Sequence, residues 1–191
     1  MNIANYTELR NRVSALIDGE DTGSSTINVA TLDVFIELGE SRVINGDGQT
    51  AGLRASSMWN EVTLTPTAGK VAIPDDVFEM AEVVIGGRKQ ELTSPWLNMR
   101  ETWQQGDSIV AKDAITFRYF AQPGSLKSGL HPTFRRYPEL YLYAALVEGS
   151  LFLGLPQAQV WEARYRQLHE AANRRERWRV YAGSPLRIRA S

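Results

Sequence analysis

The chain is 191 residues long, 43% apolar and 23% charged, with a formal net charge of −1 and no cysteine. That length buries one good core with room for a small second lobe. The near-neutral balance argues against wholesale electrostatic binding of nucleic acid, and the missing thiols exclude disulfides and thiolate chemistry.

The N-terminal MNIANYTELRNRV is interrupted by polar groups where an export signal needs an apolar run, so none is read there. A first helix is expected over NYTELRNRVSALID. Asn5 caps it, Glu8 stands at the capping-box position, and Leu9, Val13, Leu16 and Ile17 line one face. DGEDTGSST is a polar break containing glycine. A second helix follows over NVATLDVFIELGESRVIN, with Val29, Leu32, Phe35, Ile36, Val43 and Ile44 as its buried stripe, and GDGQTAG ends it.

The pattern then changes to strands. NEVTLTP and KVAIP are short runs joined by the turn-like TAG, and DDVFEMA reads as one helical turn. EVVIGGRKQELT reads as a hairpin across Gly86 and Gly87. DSIVAKDAITFRYFAQP reads as a second hairpin turning near Lys112 and Asp113, with Ile115, Phe117 and Tyr119 alternating against Thr116, Arg118 and Phe120. The intervening SPWLNMRETWQQG fits a loop with a short helix.

Helix returns with RRYPELYLYAALVEGSLFLGLP, the most apolar stretch of the chain. From Leu140 to Leu155 only Glu148 is charged, yet the run is shorter than the ~20 residues of a membrane span and is bounded by Pro138 and Pro156. A helix apolar on most of its circumference is expected to be buried on several sides. Pro138 and Pro156 suit first helical positions, since proline lacks an N–H that would be unpaired there. The last helix, from Pro156 to Val180, carries Ala158, Trp161, Tyr165, Leu168 and Ala172 on one face and pairs Glu162 with Arg166 and Glu170 with Arg174. The short link makes the last two helices an antiparallel pair.

The fold class expected is therefore α+β, an antiparallel helical bundle with a small β-rich insertion. Residues 1–56 supply the N-terminal helices, 57–124 the insertion and 125–178 the C-terminal helical hairpin, and an extended tail occupies 179–191.

Catalytic and ligand-binding constellations are not found. His169 lacks a second histidine at zinc-protease spacing and His131 precedes a proline, so both read as surface or packing residues. GDGQTAG follows a helix and lacks the Gly-Lys-Ser/Thr ending of a phosphate loop. DGEDTGSST lacks the twelfth-position glutamate of a calcium loop, and Asp75 and Asp76 beside Pro74 read as helix caps. No catalytic residue, metal ligand or cofactor is assigned, and a hydrolase reading has no acid–base pair to rest on.

One feature exceeds what folding alone explains. Arg174, Arg175, Arg177, Arg179, Arg187 and Arg189 concentrate at the C-terminus against Glu176 alone, with Trp178 and Tyr181 interleaved. Cations at a helix end complement its dipole, which accounts for the earlier ones. In SPLRIRAS, Leu186 and Ile188 alternate with Arg187 and Arg189, a pattern suited to adding an extended segment to a partner surface. The competing reading is a nucleic-acid-binding module in which these arginines grip phosphates and the aromatics stack on bases; no fold signature of such a module is present.

YPELYLYAALVEGSLFL, WEARYRQL and the terminal GSPLRIR resemble the head–tail adaptor, or connector, proteins of tailed bacteriophages, especially the portal adaptors of short-tailed ones. YTELRNRVSALI, FIELGESRVI, VAIPDDVFEMAEVVIGGRKQEL and ITFRYFAQPGSL agree in the same order, so the resemblance covers nearly the whole chain, with NGDGQTAG as a departure that looks inserted. The resemblance implies a structural protein of the virion neck, assembled in the host cytoplasm. It implies a homo-oligomeric ring, expected to be a dodecamer, beneath the portal protein. That ring would extend the channel for genomic DNA, which passes without sequence-specific binding, and would receive a tail nozzle or other tail protein. By position, the portal-docking tail would use Arg177, Trp178, Arg179, Tyr181, Leu186, Arg187, Ile188 and Arg189. The subunit interface would use Tyr141, Ala145, Glu148, Gly149 and Phe152, with Ala145 and Gly149 admitting a neighbouring helix. No membrane is involved in this reading.

Overall fold

The computed structural model describes residues 3–19, 27–90, 103–105 and 107–181. The polar break after Gly19, most of SPWLNMRETWQQG and the residues beyond Tyr181 lie outside them. The chain forms two compact units, one from the residues before Met58 and after Pro123, the other from Met58–Pro123.

The first unit is helical: α1 (Tyr6–Asp18), α2 (Val29–Asn45), α3 (Pro132–Arg136), α4 (Pro138–Leu153) and α5 (Ala158–Tyr181). The Asn5 side chain accepts from the Glu8 N–H at 2.8 Å, as expected of the cap, and the Glu8 carboxylate accepts from the Ala4 N–H, one residue ahead of the Asn5 N–H that a capping box uses. Helix α4 is central, packing against α1, α2, α3 and α5, and from Leu140 to Ser150 it is buried everywhere except at Tyr143 and Glu148. Its approach to α2 depends on Gly39: a Cβ there would lie 2.5 Å from the Ala145 backbone nitrogen. Leu9, Val13, Leu32, Phe35, Ile36, Val43 and Ile44 are buried as their spacing predicts, whereas Leu16 and Val29, expected on the same stripes, are exposed. Both sit near a terminus of their helix.

Two expectations about α5 are corrected. Pro156 lies in the turn before the helix, which starts at Ala158. Residues 179–181, assigned to an extended tail, continue the helix to Tyr181. The Arg179 guanidinium donates to the Glu176 carboxylate at 3.0 Å, an i,i+3 pair that only helical spacing brings together.

The second unit holds two antiparallel sheets. β1 (Trp59–Leu64), β7 (Ile115–Ala121), β3 (Val77–Ile85) and β4 (Arg88–Gln90) form one in the order β1-β7-β3-β4, and β2 (Lys70–Ala72), β6 (Ser108–Val110) and β5 (Trp103–Gln105) form the other in the order β2-β6-β5. Val71, Val83, Ile109, Ile115, Phe117 and Tyr119 from both sheets share one core. The hairpin across Gly86 and Gly87 forms as read, with Ile85 opposite Arg88.

Two expectations fail here. DDVFEMA is not a helical turn: from Val77 it is strand, paired to β7, and Asp76 accepts from the Tyr119 hydroxyl at 2.8 Å instead of capping a helix. DSIVAKDAITFRYFAQP is not a hairpin, because β6 pairs with β2 and β5 while β7 pairs with β1 and β3. TAG does join two strands, as read. It makes a tight turn closed by Thr67 and Lys70, and β1 and β2 then enter different sheets. In each case, partners distant in sequence outbid the nearest strand.

Candidate functional site

Two charges organise the helical unit, Arg42 of α2, which is half-buried, and Glu176 of α5, which is buried. The first is Arg42, on the α2 stripe one residue before Val43. Its Nε donates to Glu148 of α4 at 2.6 Å, and its Nη1 donates to Asp47 at 3.1 Å and to Glu162 of α5 at 3.3 Å. Its guanidinium lies over the Tyr165 ring, 5.7 Å from the centroid, and the Tyr165 hydroxyl donates to the Arg42 carbonyl at 3.3 Å. Burial opposes the charge, but the bond to Glu148 and the charges of Glu148, Glu162 and Asp47 prevail and hold the Arg42 pKa above its ordinary value. Asp47 is itself fixed by GDGQTAG: its carboxylate accepts from the N–H groups of Gln49 and Thr50 and from the Thr50 hydroxyl. The turn that ends α2 thus delivers an acid to Arg42.

An open groove of about 310 Å³ borders this arginine. Val147, Leu151 and Ala158 give it an apolar floor, with Asp47, Glu162 and Arg166 on its rim. Arg166 is tied to Glu162 at 2.7 Å and to Gln49 at 2.8 Å. Nearby Phe152 is 74% exposed and packs its ring 5.6 Å from Phe35; Leu151 and Val160 are exposed as well.

The second charge is Glu176, which is 1% exposed. It accepts from the Ser56 N–H at 2.7 Å, from Arg136 and Arg179 at 3.0 Å each, and from the Tyr137 hydroxyl. Burial would raise its pKa, but the bonds from Tyr137, Ser56 and Arg136 lower it to about 2. Burial and the same carboxylate push the Tyr137 phenol up to about 12. Donors from three separate segments leave Glu176 no surface for a ligand. It is a structural clasp.

The residues assigned to a subunit interface fall differently. Tyr141, Ala145 and Gly149 are buried within the chain, where Ala145 meets Gly39 of α2, and a Cβ on Gly149 would press on Ile17 and Phe35. The close approach expected from a neighbouring copy is made by the chain's own helices. Glu148 is half-buried on Arg42, and of the five only Phe152 is largely exposed. Of the residues assigned to portal docking, Arg177, Trp178 and Arg179 are exposed on α5 and Tyr181 is its last residue. Leu186, Arg187, Ile188 and Arg189 lie outside the described residues.

The two histidines are packing and capping residues. His131 caps α3 by accepting the Phe134 N–H at 3.2 Å, and His169 is buried beside Tyr165, where burial lowers its pKa. Among the described residues no three His, Cys, Asp or Glu side chains gather around a metal-sized space, and no helix is long and apolar enough to cross a membrane.

Sequence reasoning did not reach Arg42 or Asp47; it paired Glu162 with Arg166, as the structure does, but missed the bond of Glu162 to Arg42, and it noted Glu176 without its burial or its partners. The signal available was the lone charge in an apolar helix: Glu148 demands a cation, and Arg42 on the α2 stripe demands an anion.

No curated protein matches the chain. The family model described as SU10 adaptor protein matches residues 4–189. With nearly the whole chain covered by that match, the chain belongs to the SU10 adaptor protein family, a family of phage structural adaptors.

Proposed function

We propose that this chain is a head–tail adaptor of the phage neck. Copies of it close into a ring beneath the portal, expected to hold twelve, extend the DNA channel, and offer the far face to tail proteins. The helical unit serves as the bundle of that ring, with its last two helices antiparallel. The observation that carries the reading is the family match over residues 4–189. Exposed apolar side chains on the helical unit, Val34 and Leu38 on α2, Leu151 and Phe152 on α4, and Val160 on α5, fit a protein that finishes burying its surface in an assembly.

The portal-docking segment of this reading comprises Arg177, Trp178, Arg179 and Tyr181 at the end of α5, of which the first three are exposed, together with Leu186, Arg187, Ile188 and Arg189. Mixing the purified chain with portal rings and imaging the product by electron cryomicroscopy tests the assignment. A ring beneath the portal is expected. Its absence at every concentration overturns the reading, and undiminished docking by a chain lacking Leu186–Ser191 overturns the role of the tail.

A further inference from the structure

A second hollow, of about 330 Å³, lies on the helical unit where the first turn of α4 runs beside the C-terminal half of α5. Its lining holds Leu140 and Ala172, both buried, Leu168 and Ala171, both half-buried, and the exposed Arg136 and Arg175. The charges here do not balance. Glu139, the one acid of the lining, already faces Arg164 at 3.8 Å. Glu176 is turned inward and its donors are in place. Arg136 is engaged only through Nη1, which donates to Glu176 and to Ser56, so its Nε and Nη2 have no partner among the described residues. Arg175 makes no hydrogen bond or ion pair among the described residues, and neither do Arg135 beside Arg136 or Arg174 and Arg177 beside Arg175, all of them exposed.

A chain of formal net charge −1 thus keeps an unanswered cationic rim around an apolar seat. Guanidinium groups gathered without counter-charges repel one another, and an anionic partner relieves that repulsion. We infer that this hollow takes an acidic segment of a partner protein. One aliphatic side chain of the segment sits on Leu168 and Ala171, and its carboxylates are received by Arg136 and Arg175. Guanidinium forks match carboxylates two bonds at a time, and the apolar seat gives the contact a desolvated centre. The seat is also what favours a protein over nucleic acid. A phosphate backbone would use the arginines and leave the aliphatic lining uncovered. Leu168, Ala171, Arg175 and Trp178 follow one another at intervals of three, four and three residues along one face of α5, so the 78% exposed Trp178 extends the same stripe. The inference rests on the docking role proposed for the end of α5 and names the chemistry its partner must present.

A capped pentapeptide with one leucine between two pairs of glutamates is the probe, titrated into the labelled full chain and followed by amide NMR. Shifts are expected at Leu168, Ala171, Ala172 and Arg175, with an affinity that falls as salt rises. Arg175→Glu, at an exposed position, should weaken binding about tenfold. Ala171→Leu, which fills the seat and leaves every charge in place, should do the same. The absence of shifts overturns the inference. So does binding that Ala171→Leu leaves intact, because the attraction would then be diffuse and the seat unused. A short DNA duplex that moves the same amides and displaces the peptide also overturns it and assigns the surface to nucleic acid. Portal rings mixed with the wild-type chain separate this inference from the ring reading. A ring without peptide binding overturns the acidic partner alone, and peptide binding without a ring overturns the ring alone.

Discussion

Arg42 and Glu176 solve the same problem with opposite signs. Each is a charge drawn into the helical unit and met by counter-charges, some local, as Asp47 for Arg42 and Arg179 for Glu176, and some from distant parts of the sequence, as Glu148 and Glu162 for Arg42 and Arg136 for Glu176. They differ in closure. Glu176 is 1% exposed and takes donors from the Ser56 backbone, Tyr137, Arg136 and Arg179, so every approach is occupied. The Arg42 side chain is 14% exposed and forms one wall of an open groove with charged and apolar lining. The stronger carboxylate pKa shift therefore marks the structural clasp, and the open cluster marks the candidate surface. A perturbed pKa points to function only when something other than the protein can reach the group.

The largest effect is expected from Glu176→Ala. It leaves Arg136, Arg179 and the Ser56 N–H without their acceptor and should cost about 4 kcal/mol, the scale of breaking a buried ion pair. Urea unfolding followed by circular dichroism reads this directly. A loss under about 1 kcal/mol would mean that the clasp is replaceable by water and that the contrast in closure is not energetic.

Acid should release the same clasp. The Glu176 carboxyl has a folded pKa of about 2 against an ordinary 4.5. A depressed carboxyl pKa stabilises the fold fully above pH 4.5 and loses that contribution as pH falls toward 2. The shift corresponds to about 3 kcal/mol. Comparing urea midpoints of wild type and Glu176→Gln between neutral and acid pH isolates it: the gap between the two should narrow on acidification. A constant gap would assign the acid response to other carboxylates.

Arg42→Met should cost less, about 2 kcal/mol, because Asp47, Glu148 and Glu162 retain access to water. Its deficit should shrink as pH falls, since three carboxylates left without their cation repel one another until protonated. Combined with Glu176→Ala the losses should add, the two hubs sharing no partner and their α5 members, Glu162 and Glu176, lying several helical turns apart. A strong departure from additivity would show that α5 transmits strain between its ends.

Why sequence reading reached some of this and not the rest is plain from individual residues. The Asn5 cap with Glu8, the Gly86–Gly87 turn and the alternation of Ile115, Phe117 and Tyr119 are local signals whose partners lie within a few residues, and the structure contains each of them. Arg42 and Glu148 are 106 residues apart, Arg42 and Glu162 120, and Ser56 and Glu176 120. No window of periodicity spans such distances. The partition of β6 and β7 into different sheets has the same cause, as does the role of Gly39, which is a weak helix residue until α4 lies across it. The apolar character of α4 was legible, but which neighbour covers it was not. Its own α1 and α2 occupy the faces at Ala145 and Gly149 that the sequence left for another subunit.

The smallest effect is expected on the β-rich unit, where Arg118 repeats the chemistry of the hubs without their burial. It bridges Glu61 at 2.9 Å and Glu82 at 3.0 Å across three strands, and Glu82 also pairs with Lys89 at 3.3 Å. The hydrogen bonds from Arg118 to Glu61 and Glu82 hold its pKa above the ordinary value, as the Glu148 bond does for Arg42. In pairing alone Arg118 matches the two hubs. It lies on the open face of its sheet, however, so water competes for every one of those bonds and salt screens them. Arg118→Met should therefore change stability by less than about 0.5 kcal/mol, with any difference disappearing at high salt, whereas the Glu176→Ala loss should persist there. If Arg118→Met proved as costly as Arg42→Met, the number of ion-pair partners rather than their burial would set the energy, and the distinction between closed clasp and open groove would have to rest on access alone.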